Sequence, residues 1–142
     1  MNQDPALRNA AIVGGLLLAL GVGLLRHQQF NTPPDDPWFQ ARVIDHPGVV
    51  MVKFGAEWCP PCRSMHSSLK QLKSRHGSGL SIVEIDVDKM PHLAQHYGIS
   101  GIPRTLLFVD GEYRAGRVGA SSADDLDQWV QPFLTQTYSA AH

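Results

Sequence analysis

The chain has 142 residues, 12 of them basic and 13 acidic, and a formal net charge of −1. That length suits one domain of ordinary size with a short extension and is too small for two full cores. The charge balance excludes a nucleic-acid binder that relies on a basic face, and a hydrophobic fraction of 43% excludes a disordered chain. The only two cysteines, Cys59 and Cys62, sit three positions apart. A disulfide framework for a small secreted fold needs more of them at wider spacing, so this pair is reactive, metal-binding or incidental.

Residues 1–9 are a short N-terminal tail. Residues 10–25 (AAIVGGLLLALGVGLL) carry no charge and no strongly polar group. At about 1.5 Å per residue the run falls slightly short of a ~30 Å hydrocarbon core. Leu7 and snorkelling of Arg8 and Arg26 extend its reach. The segment reads as a transmembrane signal anchor, with a cleaved signal peptide as the alternative. Ala19-Leu20-Gly21 offers a small-x-small cleavage site, but inside the apolar run. With Arg8 balancing Arg26, the positive-inside rule decides little. The commoner arrangement keeps a short N-terminus inside and the domain outside, which in a bacterium is the periplasm.

Residues 26–35 are polar and contain proline, and read as a linker. The domain then spans residues 36–142. Asp36-Pro37 resembles an N-cap with proline at the first helical position, opening a short helix to about Ile44. Val49 to Phe54 is a nearly continuous apolar strand, as expected for burial on both faces of a sheet. Cys59 to about His76 reads as a helix with an apolar stripe of Met65, Leu69 and Leu72, closed by Gly77. Leu80 to Asp86 is a second strand, and Pro91 to Tyr97 a short helix. Thr105 to Val109 and Glu112 to Val118 form a hairpin around Asp110-Gly111. Ser121 or Ser122 caps a last helix whose buried stripe is Leu126, Trp129, Val130 and Phe133. Strands alternating with helices and ending in a hairpin specify an α/β domain with a central mixed sheet flanked by helices.

Trp58-Cys59-Pro60-Pro61-Cys62 falls between the buried strand and the start of a helix. A thiolate, not a thiol, attacks a disulfide, and free N–H groups at a helix N-terminus stabilise a negative sulfur. Cys59 is therefore the expected nucleophile. Cys62, one turn on, is the expected resolving thiol. The segment Phe54-Gly55-Ala56-Glu57-Trp58-Cys59-Pro60-Pro61-Cys62 resembles the active-site loop of the thioredoxin family. Tyr97-Gly98-Ile99-Ser100-Gly101-Ile102-Pro103 resembles that family's cis-proline segment, and Val118-Gly119-Ala120 its C-terminal end. The likeness runs from about Asp36 to Leu134 and implies a thioredoxin-like fold preceded by the anchor. It implies thiol–disulfide exchange with protein substrates and no cofactor or metal. It also implies a cis Pro103 facing the cysteines, where Ile102, Pro103 and Arg104 line the substrate site and Trp58 shapes its surface.

Three positions depart from the family pattern. Lys53 stands where a buried acid is usual. It is read either as a neutral base toward Cys62, as a partner of Glu57, or as a packed stem with a solvated amine. Pro60 and Pro61 both lack an N–H, which removes one donor to the Cys59 thiolate. With no histidine in the spacer, this predicts a redox potential nearer roughly −270 mV than −120 mV. Arg104 follows the proline where a small residue is usual, either selecting acidic substrates or merely starting a strand in solvent.

A reductant outside the membrane needs an electron donor, and a membrane thiol-transfer protein is the expected partner. Relatives of this layout reduce the haem-site cysteines of apocytochromes or other periplasmic disulfides. The rival readings are a binding or chaperone module without turnover, a disulfide donor or isomerase, and a zinc protein using Cys59, Cys62, His92 and His96. The gap between the halves of that last pattern is far longer than the usual 12 to about 15 residues. Arg63, Lys70, Lys73 and Arg75 make the active-site helix basic, and Lys73 and Arg75 complement its dipole.

Overall fold

The computed structural model describes the backbone of residues 5–140 and the side chains of residues 9–25, 28 and 30–135. The chain divides into two units at Thr32 and Pro33.

The first unit is one helix, α1 (Pro5–Asn31). Its apolar side chains are open to the surroundings, Leu16 at 64% and Leu18 at 73% exposure. Among the described residues no helix is long and apolar enough to cross a membrane, so the span expected at residues 10–25 is not shown. Residues 1–4 of the expected tail lie outside the described residues. So do the side chains of Leu7, Arg8 and Arg26, on which the extended reach depended. The helix continues to Asn31, into the stretch read as a linker. No proline or glycine interrupts the chain between Arg26 and Thr32, so nothing there breaks the hydrogen-bond ladder.

The second unit opens at Asp36, whose carboxylate accepts the Phe39 N–H at 2.8 Å. With Pro37 at the first helical position this starts α2 (Pro37–Phe39). The helix then widens into a π-turn, Gln40–Ile44. That widening was not anticipated. It is held where Asp45 N–H reaches the Gln40 carbonyl at 2.8 Å and the Gln40 amide reaches the Asp45 carboxylate at 2.7 Å. There follow β1 (Val49–Gly55), α3 (Pro60–His76), β2 (Leu80–Asp86), α4 (Pro91–His96), β3 (Arg104–Val109), β4 (Glu112–Val118) and α5 (Ala123–Ala140).

The sheet order is β2-β1-β3-β4. β1 runs parallel to β2 and antiparallel to β3, and β3 pairs antiparallel with β4. This is the mixed α/β sheet expected, with the strand richest in apolar residues at its centre and buried throughout. Alternation divides that strand between two cores. Val49 and Met51 join Leu107 and Val109 under Met65, Leu69 and Leu72 of α3 and Leu126 and Val130 of α5. On the opposite face Phe54 and Phe108 meet Tyr97, which also stacks on Phe39 at 5.3 Å. The stripe of α3 is fully buried, and each such side chain contributes about 1.5–3 kcal/mol. The helix stops at Gly77, with φ at 55°, and Lys73 donates to the carbonyls of Gly77 and Leu80. Ser122 and Asp125 cap α5 reciprocally, each accepting a backbone N–H of the other.

Candidate active site

β1 delivers the chain to Gly55, and a tight turn brings Cys59 N–H back to the Ala56 carbonyl at 3.2 Å. Cys59 is extended and caps α3. Its Sγ accepts the Cys62 N–H at 3.3 Å. Pro60 and Pro61 occupy the first helical positions, where a missing N–H leaves no intrahelical bond unmade. A disulfide joins Cys59 and Cys62 across 5.2 Å between α-carbons. Both cysteines are largely buried, and Ala56, Val87 and Ile102 pack around them.

The loop before β3 carries the Ile102–Pro103 bond in the cis form. Ile102 lies against the cysteine cluster, and the Pro103 carbonyl accepts Gly119 N–H at 2.8 Å. That bond ties the loop to the end of β4. Trp58 is 65% exposed beside the pair, and its indole N–H is fixed by Asp88 at 2.7 Å. Arg104 starts β3, as one expectation had it, and is only partly exposed. Its guanidinium hydrogen-bonds the Tyr113 phenol beside Gly116, whose missing side chain leaves room for both. Burial pushes that phenol up and Arg104 partly offsets the rise. Arg104 therefore faces its hairpin partner strand.

Beneath the disulfide lies a cleft of about 420 Å³, lined among others by Lys53, Gly55, Cys62, His66 and Glu84. Lys53 is 7% exposed, the one buried charge among the described residues. Its Nζ meets Glu84 Oε2 at 3.1 Å, and Glu84 Oε1 meets His66 Nδ1 at 2.7 Å. The pairing of Lys53 with Glu57 is thus corrected. Parallel register sets Lys53 opposite Glu84, whereas Glu57 sits in the turn and binds Lys89 at 2.6 Å. That contact raises the Lys89 ammonium above its ordinary range. A Cβ on Gly55 would lie 2.9 Å from Lys53 Nζ and 3.2 Å from Cys62 Sγ, so the glycine is what lets amine and sulfur share one pocket.

Residues 32–132 match the family Thioredoxin. This chain belongs to the thioredoxin family. It is 34% identical over 96 residues to the thioredoxin of Rhodospirillum rubrum, covering 68% of this chain and 92% of that one. It is 37% identical over 95 residues to thioredoxin C-2 of Corynebacterium nephridii, covering 67% and 88%. The thioredoxin of Buchnera aphidicola subsp. Schizaphis graminum is 36% identical over the same shares. Family and cysteine pair together make the chain a protein-disulfide oxidoreductase of the thioredoxin type.

The remaining candidates fall outside the thioredoxin centre. His92 binds Asp36 at 2.6 Å, and the His96 ring packs edge-on against Tyr97, while Cys59 and Cys62 are bonded to each other. Among the described residues no three metal-ligating side chains converge. Lys73 and Arg75 are engaged at the end of α3, Arg75 with Asp124 at 2.7 Å. Arg63 donates to the Glu57 carbonyl. Trp129 packs against the core, as its spacing predicted, and Trp38 lies under Arg42. Sequence reasoning missed Glu84, His66 and Asp88. His66 had a signal, since it lies four residues after Cys62 and so on the same helix face. The other two depend on which strand lies beside β1.

Proposed function

We propose that this thioredoxin reduces disulfides in protein substrates outside the cytoplasmic membrane, in a bacterium the periplasm, and that residues 10–25 hold it at that membrane. Cys59 attacks a substrate disulfide and forms a mixed disulfide. Cys62 then attacks Cys59 Sγ, the substrate sulfur leaves as a thiolate that takes a proton from water, and the two cysteines end oxidised. A membrane thiol-transfer protein returns the two electrons. Ile102 and Pro103 align a substrate strand beside Cys59, a reading supported by the packing of Ile102 on the cysteine cluster.

One observation carries the reducing direction. Among the described residues the Cys59 sulfur receives one backbone N–H, from Cys62, and neither Pro60 nor Pro61 has one to give. A thiolate with few donors is weakly stabilised, which favours the disulfide form and a low potential. The exposed apolar side chains of α1 support attachment to a membrane.

The deciding experiment is the equilibrium potential of the chain against glutathione and dithiothreitol, with Cys62→Ser as control. A value near −270 mV supports the reductant, while one above about −170 mV makes it a disulfide donor or isomerase. A chain that binds disulfide-bonded insulin but never reduces it would be a binding module. For the anchor, the full chain should pellet with membranes and enter solution only with detergent. Recovery in the soluble fraction, with the intact N-terminus seen by mass spectrometry, would overturn it.

A further inference from the structure

The Lys53, Glu84 and His66 side chains line up from the buried side of Cys62 to the surface. Lys53 is almost fully buried, Glu84 is one-third exposed and His66 half exposed. Each is in contact with the next, at 3.1 Å and 2.7 Å. The inner end shares a cleft with the resolving cysteine, where Lys53 Nζ and Cys62 Sγ lie 2.9 Å and 3.2 Å from the position a Cβ on Gly55 would take. A charge buried in a central strand is expensive to desolvate, and packing would be served as well by an apolar residue of that length.

We infer that Lys53, Glu84 and His66 form a proton path that takes the thiol proton of Cys62 to solvent during the resolving step. In that step the Cys62 S–H bond breaks and its electron pair forms the bond to Cys59 Sγ. The Cys59–substrate bond breaks, and the substrate sulfur leaves with that electron pair. The Lys53 ammonium gives a proton to Glu84 and its freed nitrogen lone pair takes the Cys62 proton, so its own charge is unchanged across the step. Glu84 passes the proton to His66, and His66 releases it. Glu84 and His66 act through Lys53 and are positioning residues.

The other charged groups around the cleft are already engaged. Glu57 and Asp86 face Lys89, and Arg63 donates to a backbone carbonyl. His66 is the group that both touches the buried pair and reaches water. The acid stands on β2, one strand away from the position beneath the cysteines, and the register Lys53↔Glu84 is what makes the path continuous. This inference rests on Cys62 being the resolving thiol.

The test mixes reduced full-length chain with dithiobis-nitrobenzoate in a stopped-flow instrument from pH 5 to pH 9. The first nitrothiobenzoate released reports attack by Cys59 and depends on reagent concentration. The second reports resolution by Cys62 and does not. Glu84→Gln should slow the second phase about tenfold at pH 7, below the range for direct proton transfer because Glu84 acts through Lys53. It should leave the first phase within twofold. His66→Gln should flatten the pH dependence of the second phase alone, and Glu84→Asp should restore part of the rate. Second phases within twofold of the unmodified chain across the pH range, for both Glu84→Gln and His66→Gln, would overturn the path. Absence of a second phase in the unmodified chain would instead sink the assignment of Cys62 as resolver.

Discussion

Lys53 faces Glu84 across the parallel pair β1–β2, and their charged atoms meet at 3.1 Å. A buried ion pair is strongly destabilised when one partner is lost, yet its replacement by apolar residues can be neutral. Glu84→Ala should therefore lower unfolding free energy by about 1–3 kcal/mol, less than for a fully buried pair because Glu84 is partly exposed. Lys53→Met should change it by less than about 1 kcal/mol, because the Glu84 left behind is one-third exposed and keeps His66 as a partner. Urea titrations of the two variants check the contrast. Equal losses would mean that the lysine stem, not its charge, holds the strand.

Thr105 lies opposite Lys53 on β3. It is fully buried, and its hydroxyl has no hydrogen-bond partner among the described residues. Leaving a buried hydroxyl unpaired costs about 1–3 kcal/mol. Thr105→Val keeps the shape and removes that group, so it should stabilise the domain by about 1 kcal/mol. A loss of stability in thermal unfolding would show that the hydroxyl is satisfied in solution.

Two carboxylates paired with histidines couple stability to pH. His76 binds Asp127 at 2.6 Å, joining α3 to α5, and holds it below the usual aspartate range with help from Gln131. His92, and then the Phe39 N–H, do the same for Asp36. A lowered folded value means that the unfolded chain binds the proton first as pH falls. Their contribution is fully present above about pH 3.9, the unfolded value, and is lost as pH drops through the folded ones. Asp127→Asn should lower the Tm at pH 7, and the gap from the unmodified chain should close toward pH 3. A gap that stays constant would exclude this linkage.

Gly111 and Gly119 both have positive φ, 79° and 90°, but only one is crowded. A Cβ on Gly111 would run into the Ile44 carbonyl, whereas one on Gly119 meets nothing. Gly119→Ala should cost about 1 kcal/mol from backbone strain alone. Gly111→Ala should cost about 2 kcal/mol or more, because the carbonyl cannot yield. Similar losses in chemical denaturation would mean that the α2 turn shifts to make room.

Local signals carried far in this chain. Apolar periodicity and turn chemistry placed β1 to β4, α3, α4 and α5 close to their observed bounds. A Cys-x-x-Cys between a strand and a helix marked the redox pair, because the chemistry and its setting are encoded within a few consecutive residues. Asp110-Gly111 announced the hairpin for the same reason. Nothing local said that a side chain at Gly111 would run into the Ile44 carbonyl, or that Gly48 N–H would bond the Asp110 carboxylate.

The amino-acid sequence by itself determined the α/β class, the cysteine pair and its helix-end setting, since periodicity, caps and turns act over one or two turns of chain. The tertiary structure alone decided the partners of the long side chains. Lys53 had Glu57 four residues away and took Glu84 from the neighbouring strand. Arg104 turned to Tyr113, and Trp58 to Asp88. Strand order and register bring these groups together over tens of residues, and a side chain's reach says nothing of which strand will lie beside it.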